Sequence, residues 1–261
     1  CCTVICGHSS FYWIVSRWAD ENGFERKRNF MIQISNLSKK YGETVVFSDL
    51  NYTFENACIY GLVGRNGAGK TTLLNILSNY DKNYTGVISI DRKKMNKVDY
   101  LDMPVAYAMD QPSFFNELTI YENLLLIASS RKIKKQEAFD KIERILDGLG
   151  LKKYENYSPL ELSKGTMQRL NNACAMIQEE KITIFDEPFS GLDPVQMKLL
   201  ENVIVEFHKK EKGIYIISSH DIECLQNVCD KCLLLHNGQI REINMEEVDR
   251  EEIAKILSEG E

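Results

Sequence analysis

The sequence predicts an α/β fold, and three segments predict it. Each is a short apolar run that ends in polar, chemistry-bearing residues. Cys58-Ile59-Tyr60-Gly61-Leu62-Val63 leads into Gly64, Lys181-Ile182-Thr183-Ile184-Phe185 ends in Asp186-Glu187, and Ile214-Tyr215-Ile216-Ile217-Ser218-Ser219 ends at His220. Nearly continuous apolar runs of this length are those of strands covered on both faces. Ligands of open α/β sheets gather beyond the carboxyl ends of such strands, where these polar tips fall.

Composition bounds the rest. A chain of 261 residues can bury a sizeable core, as one large domain or a domain carrying a lobe. With 44% hydrophobic and 27% charged residues it reads as an ordinary globule, which excludes a disordered chain. No run approaches the ~18 apolar residues of a membrane span. A formal net charge of -6 argues against a nucleic-acid groove, which needs a basic footprint, so no direct nucleic-acid partner is expected. The eight cysteines follow no regular framework and read as reduced thiols of a cytosolic protein. Cys229 and Cys232 have metal-like spacing but occupy a helix-to-strand passage where small hydrophobes serve equally, so packing is the expected role.

Residues 1–30 form a separate N-terminal extension. The apolar stretch 11–15 is short, and His8, Ser9, Ser10 and Arg17 interrupt what a secretory signal would need. From Met31 the pattern is fluent. Ile32, Ile34 and Leu37 predict a first strand, and Val45-Val46-Phe47 and Leu50-Asn51-Tyr52-Thr53-Phe54 predict two more before the buried strand at 58–63. A helix follows from about Lys70. Val105-Ala106-Tyr107-Ala108-Met109 reads as another strand. Residues 112–177 read as largely helical, with apolar Leu118, Ile120 and 124–127 followed by an amphipathic segment over 138–149 and an apolar helix over 170–177. The acidic stretch from Glu246 to Glu261 has a helical pattern.

The chemistry is concentrated where these strands end. Gly64-Arg65-Asn66-Gly67-Ala68-Gly69-Lys70-Thr71-Thr72 satisfies the phosphate-loop pattern, and it lies between a buried strand and a helix as that loop requires. Successive N–H groups converge on phosphates, and the helix points its positive end at them. Lys70 supplies a point charge between the β and γ phosphates, and the Thr71 hydroxyl reaches Mg²⁺. Asp186 is expected to hold the metal and Glu187 to polarise the attacking water, since adjacent side chains on an exiting strand point differently.

Further motifs, in this order, resemble those of the nucleotide-binding domain of ABC transporters. Leu162-Ser163-Lys164-Gly165-Thr166 is similar to the family signature, with Lys164 in place of a glycine and Thr166 in place of a glutamine; Ser190-Gly191-Leu192-Asp193 is similar to the loop that crosses the dimer. The resemblance covers about residues 31–240. It implies a P-loop NTPase with a RecA-like core, an antiparallel β subdomain and an α-helical subdomain over about 112–177; the acidic helical tail at 241–261 is read from its own pattern and lies beyond the resemblance. The resemblance implies that Tyr41 stacks on adenine, that Gln111 senses Mg²⁺ and the γ phosphate, and that His220 holds the γ phosphate beside Glu187. Ser163 and Gly165 are implied to complete the site of a partner, and Phe114 and Phe115 fall where the lobe would receive a membrane subunit.

The expected function is therefore ATP hydrolysis with Mg²⁺ by a subunit that dimerises on ATP with a second ABC ATPase, as a homo- or heterodimer. It would drive an integral membrane permease from the cytoplasmic side of the membrane, in the direction of export. The alternative within the family is a soluble ABC ATPase acting in translation or cofactor assembly. A single motif set argues against a tandem translation factor, and Glu187 argues against a scaffold without turnover.

Overall fold

The computed structural model describes residues 30–98 and 103–244, and those from Met31 onward belong to one unit. Residues 1–29 of the extension expected over 1–30, and the part beyond Asn244 of the tail expected over 241–261, lie outside the described residues. The chain opens with a hairpin, β1 (Met31–Tyr41) and β2 (Thr44–Glu55), turning at Gly42, whose φ of 56° is in the left-handed region. The two strands expected over 45–54 are one. Leu37 pairs with Leu50 and Lys39 with Phe47, so the extra residues bulge at Asp49 (φ 50°) and its N–H is taken by the Ser38 hydroxyl at 3.0 Å. The bulge keeps Phe47, Leu50 and Phe54 all buried on one side, which two separate strands would not require.

The fully buried β3 (Cys58–Val63) follows and leads through the glycine loop into α1 (Lys70–Leu77). Then come β4 (Thr85–Ile90) and β5 (Lys93–Lys94), neither anticipated in the sequence. They complete a four-stranded antiparallel sheet in the order β2-β1-β4-β5.

The second sheet begins with β6 (Val105–Ala108). Three helices of the lobe follow, α2 (Ile120–Ser130), α3 (Lys135–Gly148) and α4 (Lys164–Met176), with short 3₁₀ turns at Lys152–Tyr154 and Pro159–Glu161. The remainder alternates β7 (Ile182–Phe185), α5 (Pro194–Glu211), β8 (Ile214–Ser219), the single turn α6 (Glu223–Gln226), β9 (Lys231–His236) and β10 (Gln239–Ile243).

The order β10-β9-β3-β8-β7-β6 is parallel except for the edge strand β10. Val63 pairs with Ser219, Phe185 with Ile217 and Ala108 with Phe185. These registers set the carboxyl ends of four strands side by side. The phosphate loop, Asp186, His220 and the segment carrying Gln111 therefore leave the sheet at one edge.

The lobe packs through the amphipathic stripe that the sequence shows. Ala138, Ile142, Ile145 and Leu146 are buried at helical spacing and join one cluster with Leu170 and Ala173 of α4 and Phe185 of β7. Side chains cap the helix starts. Thr119 and Glu122 form a capping box at α2, Ser163 accepts from Thr166 N at α4, and Asp193 accepts from Gln196 N at α5. Among the described residues no helix is long and apolar enough to cross a membrane.

Candidate nucleotide site

The glycine loop is built for close approach. Gly67 (φ 80°) and Gly69 (φ 101°) adopt left-handed conformations. A Cβ on Gly69 would come within 2.7 Å of Val46 Cγ1 of the antiparallel sheet, whereas one on Gly67 would meet nothing within 4 Å, so the loop is backed by β2 there and open at its tip. Gly69 caps α1 without a side-chain hydrogen bond, which leaves first-turn N–H groups available to an anion. Lys70 is buried, and its Nζ donates to Gly64 O at 2.7 Å and to Arg65 O at 3.3 Å.

The strand-end carboxylates face this loop. Asp186 is fully buried; its Oδ1 accepts from Ser218 Oγ at 2.6 Å, and Tyr107 OH lies 3.4 Å from Oδ2. Burial raises its pKa, the hydroxyls of Ser218 and Thr71 oppose the rise, and the charges of Glu187 and Asp110 add to it. Glu187 has φ 49°, a left-handed conformation unusual for a residue with a Cβ. Its N–H donates to Ser218 Oγ at 2.9 Å, its Oε1 is 3.5 Å from Lys70 Nζ, and its Oε2 is 2.9 Å from His220 Nδ1. Lys70, Thr71, Asp186, Glu187 and His220 thus form one cluster, drawn from the start of α1 and the chain just beyond β7 and β8.

Other expected residues stand around it. Tyr41 ends β1, is 52% exposed, and presents one ring face to Lys39 Nζ at 4.5 Å while its hydroxyl donates to Asp81 Oδ2 at 3.1 Å. Gln111 is exposed three residues beyond β6, and the neighbouring Asp110 is the charge felt by both Asp186 and Tyr107. The sequence reading missed Asp110, Tyr107 and Ser218. Asp110 adjoins a better-known residue type, and the other two read as ordinary strand positions.

The signature residues and the following loop form a second cluster. Ser163 is exposed, and its hydroxyl lies 2.8 Å from Thr166 Oγ1. Thr166 is buried and accepts from Arg169 Nη2 at 3.3 Å, while Arg169 Nη1 donates to Leu149 O at 2.6 Å, which accounts for a small hydroxyl residue at that position. A Cβ on Gly165 would sit 3.0 Å from Gly191 O, so the signature helix abuts the Ser190-Gly191-Leu192-Asp193 loop. Gln168 joins the two clusters, its Nε2 donating to Glu187 O at 3.4 Å. Cys58, Cys174, Cys224, Cys229 and Cys232 are free, and no group of three or more His, Cys, Asp or Glu that could hold a metal ion occurs among the described residues.

A glycine loop leading into a helix start without a side-chain cap, a buried lysine and a strand-end carboxylate define a phosphate-loop nucleotide hydrolase. The donors suit Mg²⁺ with a triphosphate, because a hydroxyl and a carboxylate are hard oxygen ligands set against the phosphate-binding loop. The sequence profile of the ABC transporter family matches residues 47–190. The tungstate uptake system ATP-binding protein of Peptoclostridium acidaminophilum is 30% identical over 211 residues, which cover 81% of this chain and 97% of that one. The bacitracin transport ATP-binding protein of Enterococcus faecalis is 30% identical over 223 residues, covering 85% and 71%. A solved ATP-binding subunit of an ABC transporter superposes with a TM-score of 0.76 at 26% identity, covering 87% of this chain and 95% of that one.

The chain belongs to the ABC transporter family, as an ATP-hydrolysing subunit that partners a membrane permease. An uptake system among these relatives means that the likeness carries the ATPase and leaves the expected export direction undistinguished.

Proposed function

We propose that this subunit hydrolyses ATP at the cluster of Lys70, Thr71, Asp186, Glu187 and His220, and that the released energy drives a permease docked on its helical lobe. The observation that carries the catalytic reading is Glu187, whose carboxylate is held between Lys70 Nζ and His220 Nδ1 beside Asp186. The loop from Gly64 to Thr72 binds the phosphates through its N–H groups, and Lys70 leaves Glu187 to contact them. Thr71 and Asp186 hold Mg²⁺, which neutralises charge on the phosphate oxygens when bound. Gln111 and Asp110 line the same edge and complete the surroundings of the metal. Glu187 orients the water and takes up its proton as the water oxygen bonds to the γ phosphorus and the bond to ADP breaks. His220 fixes the Glu187 carboxylate and donates to the γ phosphate. Tyr41 offers its free ring face to the adenine.

Ser163 and Gly165 face a second ATPase subunit and close its site, with the loop from Ser190 to Asp193 beside them. The permease meets the apolar patch of Phe115 (60% exposed), Tyr157 (45%) and Leu160 (73%), whose loops are tied by Ile120 N to Tyr157 O at 2.9 Å and Ser158 Oγ to Asn116 O at 2.8 Å. That arrangement puts the chain on the cytoplasmic side of the membrane as a peripheral subunit. Relatives named for transport favour it over a role in translation or cofactor assembly.

Glu187→Gln tests the reading. The amide keeps the size of the side chain but loses the anionic oxygen, so ATP still binds while single-turnover hydrolysis falls roughly 10²-fold or more. A wild-type single-turnover rate in this variant removes Glu187 from the mechanism.

A further inference from the structure

We infer that Ser218 is a positioning residue for hydrolysis, its single hydroxyl aiming both the metal-side and the water-side carboxylate. This rests on the roles proposed above for Asp186 and Glu187. Ser218 is fully buried on β8, one strand across from both residues. Its Oγ donates to Asp186 Oδ1 at 2.6 Å and accepts from the Glu187 N–H at 2.9 Å. A hydroxyl has one proton to give and lone pairs to receive, so it makes both bonds at once.

The geometry explains what the second bond does. The β7–β8 pairing runs from Ile182 with Ile214 to Phe185 with Ile217, so Glu187 lies past the last pair and its N–H is taken by a side chain instead of a strand carbonyl. There the chain enters the left-handed region at φ 49°. A residue with a Cβ holds that conformation only when its surroundings over-determine it. With Glu187 N–H held by Ser218 and Glu187 O held by Gln168, the side chain leaves toward Lys70 Nζ and His220 Nδ1 instead of continuing the alternation of the strand. The first bond fixes one oxygen of Asp186 and leaves the other toward Tyr107 OH and the start of α1. Ser218 thus couples the orientation of two carboxylates that have different tasks.

The test uses the full chain with ATP, with and without Mg²⁺. Ser218→Ala is close in volume and removes only the hydroxyl. Outer-shell partners of this kind typically account for 10- to 100-fold in metal affinity or activity. Single-turnover hydrolysis should fall about 10- to 100-fold, while ATP affinity measured without Mg²⁺ stays within about threefold of wild type. Ser218→Thr keeps the hydroxyl and should retain most of the rate, and Ser218→Ala added to Glu187→Gln should slow hydrolysis by less than the product of the two single losses, because one of the two carboxylates it aims is already gone.

Three outcomes overturn the inference: Ser218→Ala hydrolysing at the wild-type rate while Glu187→Gln is impaired, Ser218→Thr as slow as Ser218→Ala, or fully multiplicative losses in the double variant. A wild-type rate in Glu187→Gln instead removes the proposed catalytic reading itself, so the two failures are distinct.

Discussion

Lys70 is a buried cation whose ammonium is shared between two loop carbonyls and, at 3.5 Å, the Glu187 carboxylate. Two of these partners are neutral carbonyls and the one carboxylate stands at the long distance of 3.5 Å, so the ammonium can still take a phosphate oxygen at closer range. Hydrogen bonds to charged groups contribute about 1.5–3 kcal/mol, and Lys70→Ala should therefore weaken ATP binding by roughly 10- to 150-fold. Unchanged ATP affinity in calorimetry on the folded variant would sink the assignment of this loop. At this scale the residues with distinctive chemistry were legible: Lys70, Asp186, Glu187 and His220 stand in motifs and meet in space. Ser218 and Tyr107 were not, because a hydroxyl in a buried strand looks like filler until the register of β7 and β8 shows which carboxylate it meets.

Among the elements, α3 shows how a pattern can be right about a helix and silent about its most consequential residue. Lys141 lies on the buried stripe with Ala138 and Ile142 and is 1% exposed. Its Nζ reaches Glu179 Oε1 at 2.7 Å and Glu211 Oε1 at 3.1 Å, joining the lobe to the segments that flank β7 and to the end of α5, while Phe207 lies under the ammonium at 5.3 Å.

Removing one partner of a buried ion pair leaves uncompensated charge, which costs about 3–5 kcal/mol. Both glutamates keep some solvent contact, so Lys141→Met should cost near the lower end, roughly 3 kcal/mol, in urea unfolding. A loss below about 0.5 kcal/mol would mean that water already satisfies both carboxylates. The β4–β5 edge escaped the reading for a related reason. Thr85-Gly86-Val87-Ile88-Ser89-Ile90 is short and polar at one end, and its partner in pairing is β1, some fifty residues earlier in the chain. Gly86 (φ 99°) sits where a Cβ would meet Asn36 O at 2.3 Å, a close approach that only the paired sheet reveals.

At the scale of the whole molecule, the exposed Ser163 and the Gly165–Gly191 contact form a second face, joined to the Glu187 backbone through Gln168. If that face completes a partner's site, ATP and dimerisation raise each other's affinity by the same factor. Glu187→Gln should therefore accumulate a dimer in ultracentrifugation with Mg²⁺ and ATP, because the linking nucleotide is not consumed. Adding Ser163→Arg should abolish it by placing a long cation at the face. A dimer that survives Ser163→Arg, or a Glu187→Gln chain that stays monomeric at high concentration with its permease present, overturns the shared site.

The sequence by itself determined the family, the α/β class, the phosphate loop and the order in which the side chains of the proposed site arrive. Those signals are local: a glycine pattern beside a buried strand, and carboxylates or a histidine at the ends of apolar runs. Only the tertiary structure decided that 45–54 is one bulged strand, that Thr166 is buried against Arg169, that Asp110 lies within electrostatic reach of Asp186, and that one hydroxyl on β8 meets both the Asp186 carboxylate and the Glu187 N–H just past β7. Each depends on strand register and on contacts between segments far apart in the chain, and no periodicity within a segment records which distant group it will meet.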